Sequence, residues 1–95
     1  MNKFPLGQIV ATPGALEALA ESGQTPDFFL AKHASGDWGE VCDGDKKLND
    51  EALADGGRLL SAYCTLENER LWVITEAADD SGKRLATTIL LPSQY

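Results

Sequence analysis

The chain has 95 residues, 43% of them hydrophobic, which suits one domain with a modest core that needs no disulfide or metal staple. Fifteen Asp and Glu against eight Lys and Arg leave a net charge of −7, which excludes the basic stripe on which non-specific nucleic-acid binding depends. No apolar run approaches the roughly 18–20 residues that span a bilayer.

The opening residues, Met1-Asn2-Lys3-Phe4-Pro5, contain no apolar signal core, so the expected location is cytoplasmic. In that reducing compartment Cys42 and Cys64 are expected as free thiols. From Phe4 to Ala11 the chain is apolar, and Ile9-Val10 has strand character. Thr12-Pro13 opens a helix, because threonine caps the first turn and proline lacks an N–H where none is needed. Ala15, Leu16, Leu19 and Ala20 make its apolar stripe, and Gly23 ends it. Thr25-Pro26-Asp27 repeats the start signal for a second helix through Phe28, Phe29, Leu30, Ala31 and Ala34, ending near Ser35-Gly36. With only Gly23-Gln24 as the joint, the two helices are expected to form a helical hairpin.

Asp37 to Cys42 reads as one further helical turn with Trp38 and Val41 on one side. Asp43 to Lys47 reads as a solvated loop. Asn49 then caps a short helix, Asp50 to Ala54, closed by Gly56-Gly57. After Gly57 the hydrophobic period changes to two, and three strands are expected: Arg58 to Thr65, Arg70 to Glu76 and Leu85 to Leu91. Their short links, Leu66 to Glu69 and Ala77 to Lys83, imply antiparallel pairing. The expected architecture is therefore α+β: an N-terminal helical hairpin plus a short helix packed on a three- to four-stranded antiparallel meander. In the middle strand, alternation sets Leu71, Val73 and Thr75 on one face and Trp72, Ile74 and Glu76 on the other.

The stretch His33-Ala34-Ser35-Gly36-Asp37-Trp38-Gly39-Glu40 holds the only histidine, and it is the first place to look for a site. Histidine serves as general acid, general base or metal ligand. It equally serves as a helix-terminal residue that hydrogen-bonds a carbonyl. Asp37 is placed either to orient His33, as a carboxylate orients a catalytic imidazole, or to cap the next turn above a Trp38 that plugs the core. Ser35 lies outside any nucleophile elbow, Ser61 lies in a strand, and neither cysteine has a neighbouring base. One histidine and two scattered cysteines make no zinc set. Asp43 to Glu51 has the flavour of a calcium loop, but Lys47 occupies the third ligand position, Leu48 replaces the glycine and Ala54 stands where the bidentate glutamate belongs. No metal and no cofactor are expected.

Two further sets remain. His33, Glu76 and an arginine, Arg58 or Arg84, would suit acid–base cleavage of RNA, with the arginine stabilising the phosphorane. The alternative is cross-strand charge pairing on a solvated face. Between Asp37 and Asp55 the chain holds Asp37, Glu40, Asp43, Asp45, Asp50, Glu51 and Asp55 against Lys46 and Lys47. This is either a solvated edge or an anionic surface complementary to a basic partner.

The segments FPLGQIVATPGAL, HASGDWGE, ND-EAL-ADGGRLLSAY, LWVITEA and ATTILLP resemble a family of small uncharacterised bacterial proteins carried on plasmids and integrative mobile elements. The resemblance covers nearly the whole chain, and it supplies no catalytic residue. The loop Ala77 to Arg84 is longer here than the turn typical of that family. In architecture the chain also resembles small barnase- and RelE-like ribonucleases, although its acidity is unlike theirs.

Taken together, the expectation is an acidic protein-binding module of a mobile element. It would dock on a host protein with a basic surface, within a nucleic-acid-binding defence complex of CRISPR or restriction type. Asp37, Trp38, Glu40, Asp43 and Asp45 are the expected contacts, with Trp38 as aromatic anchor. A ribonuclease using His33, Glu76 and an arginine is one alternative. A structural or regulatory subunit with His33 and Trp38 in its core is the other. No direct nucleic-acid or membrane partner is expected, and the oligomeric state is left open.

Overall fold

A computed structural model describes residues 2–95. In chain order the elements are β1 (Gln8–Ala11), α1 (Pro13–Ser22), α2 (Pro26–Ala34), α3 (Asp43–Asp55), β2 (Leu59–Cys64), β3 (Arg70–Thr75) and β4 (Ala86–Leu90), with a 3₁₀ turn at Pro92–Gln94. The fold is α+β, with three helices and one four-stranded sheet. The helix boundaries at the N-terminal side follow the sequence signals closely. Thr12 Oγ1 accepts the Ala15 N–H at 3.2 Å, Pro13 begins α1, and Gly23 closes it at φ 70°.

The sheet order is β1-β4-β3-β2, and this corrects the expected antiparallel meander. β2, β3 and β4 do run antiparallel, but β1 lies parallel to β4, with Ile9 opposite Thr87 and Val10 opposite Thr88. The sheet is therefore mixed. A parallel pair needs a long crossover, and everything from α1 to β3 supplies it. The strand β1 also precedes the helices, so the sheet is entered before them and rejoined after them.

The expected helical hairpin is also revised. α1 packs mainly on β4 and α2 on β3, because Ala15, Leu19, Phe29 and Leu30 are buried against the sheet rather than between the helices. Residues 37–42 form no helical turn. They pass beside β2 through a single bridge at Gly39, where the Ala62 N–H donates to Trp38 O at 3.1 Å and the Glu40 N–H to Ala62 O at 2.7 Å.

α3 begins earlier than expected, at Asp43, so the segment read as a solvated loop is helical and Cys42, not Asn49, occupies the N-cap. Asp43 and Asp45 favour this start because carboxylates in a first turn stabilise the positive end of the helix dipole. Asn49 sits mid-helix and is buried. Its Nδ2 donates to Leu60 O at 2.7 Å and its Oδ1 accepts from Leu60 N at 3.1 Å. One amide thus closes the edge of β2 as a neighbouring strand would.

The helices cover one face of the sheet. Leu71, Val73 and Thr75 point into it and are fully buried, as alternation requires. A larger core cluster gathers Ala15, Leu19, Phe29, Leu71, Val73 and Ile89, and a smaller one gathers Phe4, Trp38, Ala52 and Leu59. On the opposite face Leu60, Trp72 and Thr88 are half-buried, and Tyr95 packs edge-on to Trp72. Among the described residues no helix is long and apolar enough to cross a membrane.

Candidate functional site

His33 closes α2, one turn after Phe29, and is fully buried. Phe4 and Trp38 meet its ring edge-on, with centroids at 5.2 and 5.6 Å. Its Nδ1 lies 2.5 Å from Ser61 Oγ and its Nε2 lies 2.8 Å from Thr75 Oγ1. Thr75 Oγ1 in turn lies 2.7 Å from Thr87 Oγ1, which donates to the Leu6 carbonyl at 2.7 Å.

The Leu6 carbonyl only accepts, and this orders the whole chain. Thr87 gives its proton to Leu6, so it accepts from Thr75. Thr75 then accepts from His33 Nε2–H, and Nδ1 accepts from Ser61. His33 is thereby held neutral in the Nε2–H tautomer. Burial, with Arg84 as a second cause, pushes its pKa down to about 4. His33 thus sits in the core with both ring nitrogens hydrogen-bonded and no surface open to solvent.

Ser61, Thr75 and Thr87 were not singled out from the sequence as His33's partners. The signal was present: three hydroxyl residues fall on the inward parity of their strands, and buried hydroxyls need partners.

Of the other members of the ribonuclease set, Arg84 comes near enough for its charge to act on His33, but neither it, Glu76 nor Arg58 bonds to the imidazole. Arg84 is buried and donates to three main-chain carbonyls, Gly57 O at 2.7 Å, Glu76 O at 3.0 Å and Ala52 O at 3.0 Å. Its guanidinium also lies over the Phe4 ring at 5.8 Å. It ties the end of α3 to the end of β3, and desolvation lowers its pKa. Glu76 is exposed and has the parity of Trp72, on the sheet face opposite His33. Arg58 is exposed too, its Nη1 donating to Tyr95 Oη at 2.7 Å.

Asp37 does not orient His33. Its Oδ1 accepts the Gly39 N–H at 3.2 Å, and its Oδ2 lies 3.5 Å from Lys32 Nζ. Trp38 is only 4% exposed, and its indole N–H donates to Asp50 Oδ1 at 3.0 Å. It therefore plugs the smaller core cluster and offers no aromatic anchor to a partner.

The structure instead places exposed apolar side chains around a groove of about 330 Å³ between α2 and the end of β2. Phe28 (51% exposed) and Leu66 (80%) flank it, Phe29 and Tyr63 line it, and Asp37 and Glu40 stand at its rim. Lys32 Nζ lies 5.4 Å from the centre of the Phe28 ring while pairing with Asp37. Glu40 lies 3.9 Å from Arg70. A hydrogen bond to Glu40, together with burial, raises the Cys64 thiol above its ordinary pKa, the opposite of what a nucleophile needs. Asp43 and Asp45 do not line the groove; they stand exposed on the first turn of α3.

A second cavity of about 390 Å³ separates the N-terminal segment from the loop after β3, with Lys3, Asp55, Asp79, Asp80 and Arg84 in its wall. Asp79 there is held low by hydrogen bonds from within its own loop. Among the described residues no group of three or more His, Cys, Asp or Glu stands close enough to hold a metal ion. Compared with models of known protein families, with curated proteins and with solved structures, the chain matches none.

Proposed function

We propose that the protein is an acidic binding module that docks on a basic, nucleic-acid-binding host protein. The observation that carries this reading is the disposition of charge. All fifteen carboxylates are exposed, and only Asp37 and Glu40 make ion pairs among the described residues. Such a surface is solvated at little cost and is attracted over several ångströms by a partner of opposite sign.

The groove between α2 and β2 supplies what charge alone lacks. Phe28 and Leu66 are apolar anchors beside Asp37 and Glu40, carboxylates that a basic partner would draw from their exposed pairs with Lys32 and Arg70, as polar groups at an interface rim exchange partners. Asp43 and Asp45 extend the acidic surface along α3. Phe28 and Leu66 take the anchoring role expected of Trp38. In keeping with the resemblance of its motifs to mobile-element proteins, the host partner in this proposal belongs to a defence assembly of CRISPR or restriction type. The acidic face would cover that assembly's nucleic-acid channel.

The test is capture from host lysate at low salt, with the recovered protein identified by mass spectrometry. A basic nucleic-acid-binding protein should be retained by the wild type, released as salt rises, and lost with the double variant Asp37→Lys, Glu40→Lys. Capture that survives both the charge reversal and high salt would overturn the reading.

A further inference from the structure

The two edges of the sheet are treated differently. On β2, Leu60 is paired by the Asn49 amide, and Ala62 by Trp38 and Glu40. On β1, Gln8 N donates to Leu85 O at 2.9 Å and Thr12 N to Ile89 O at 3.0 Å. Alternation therefore turns the N–H and C=O of Ile9 and Ala11 away from β4, and nothing among the described residues pairs with that side. β1 also lacks the charges, proline and bulge that protect sheet edges, and Ile9 and Val10 are 44% and 42% exposed.

We infer that β1 is a self-pairing surface: two copies of the chain join antiparallel across it, with Val10 opposite Val10, into one continuous sheet. In this register Ile9 of each copy exchanges both main-chain bonds with Ala11 of the other. Every outward N–H and C=O of the two strands is then used. The side chains brought face to face are Gln8 with Thr12, Ile9 with Ala11 and Val10 with Val10. Neither strand carries a charged side chain, although each copy carries −7.

Self-complementarity selects a second copy: β1 carries no charge, and antiparallel pairing sets its own Ile9, Val10 and Ala11 against one another. The edge is bounded by Pro5 on one side and by α1 from Pro13 on the other, so only a short strand fits, and β1 has the matching length. α1 packs inward on β4. A ladder this short buries less than the roughly 1,000 Å² of a stable interface, so the dimer is weak and forms only at high protein concentration.

Sedimentation equilibrium up to about 1 mM should show a reversible monomer–dimer equilibrium. Ile9→Pro deletes an outward N–H that β4 does not use, and should weaken the dimer about tenfold or more. Register is read separately, in a Cys42→Ser, Cys64→Ser background. Val10→Cys should form a disulfide dimer under oxidised glutathione, because directly opposed residues at this kind of position lie about 4.5 Å apart. Gln8→Cys, which faces Thr12 of the other copy, should cross-link far more slowly. A wild type that stays monomeric throughout, a dimer unchanged by Ile9→Pro, or equal cross-linking of the two cysteine variants would each overturn the inference.

Discussion

His33 and Thr75 lie 42 positions apart and are joined inside the protein by a hydrogen bond of 2.8 Å, from the imidazole Nε2–H to the threonine Oγ1. That bond is the middle of a chain running from Ser61 to the Leu6 carbonyl. It ties α2 to three successive strands and to the segment before β1.

The buried imidazole makes stability depend on pH. Its folded pKa of about 4 lies below the ordinary 6.5, so the unfolded chain binds the proton more tightly. The stabilisation is fully present above pH 6.5 and is lost as pH falls through 4, by about 3 kcal/mol in all. Urea unfolding at pH 7 and pH 4 should show this loss, and His33→Gln should lack that part of the dependence.

Thr75→Val should cost about 1–3 kcal/mol, because the His33 Nε2–H loses its acceptor where water does not reach. Thr88→Val, one residue from the Thr87 of the chain but on the opposite, half-buried face, should stay within about 0.5 kcal/mol. Paired denaturation curves read the difference directly. Equal costs would mean that the hydroxyl chain contributes nothing.

Trp38→Ala should destabilise by about 3–5 kcal/mol, as expected for removing a buried aromatic that fills the space between Phe4, His33 and α3. Trp38→Phe should cost less, since it keeps the ring and gives up the bond to Asp50. Thermal melts of both variants check the order.

Gly39 and Gly23 both hold positive φ, 73° and 70°, but their surroundings differ. A Cβ on Gly39 would run into the Ala62 carbonyl and the Tyr63 ring, whereas one on Gly23 meets nothing within 4 Å. Gly23→Ala should therefore cost about 1 kcal/mol, the conformational part alone. Gly39→Ala should cost several times that and should loosen the bridge to β2. Hydrogen exchange at the Ala62 and Glu40 amides would show the loosening.

Local patterns were legible in the sequence wherever their cause was local. Thr12-Pro13 and Gly23 bound α1 because capping depends on neighbouring atoms. The alternation in RLWVIT put Leu71, Val73 and Thr75 inside because a strand has only two faces. The short links between β2, β3 and β4 left antiparallel pairing as the available arrangement. The charge of −7 and the exposure of its carboxylates likewise needed no fold to anticipate, since ionised groups resist burial.

What the sequence left open lay in long-range contacts. The parallel pairing of β1 with β4 joins segments from opposite ends of the chain, and no local signal records it. Asn49 resembles a helix cap until a strand edge is placed beside it, whereupon its amide serves Leu60 and α3 runs on through the acidic segment. His33 looked reactive because histidine can be so. Only tertiary packing set Ser61 and Thr75 at its two nitrogens and removed water, and those contacts, not the residue type, determine its protonation and its role in the core.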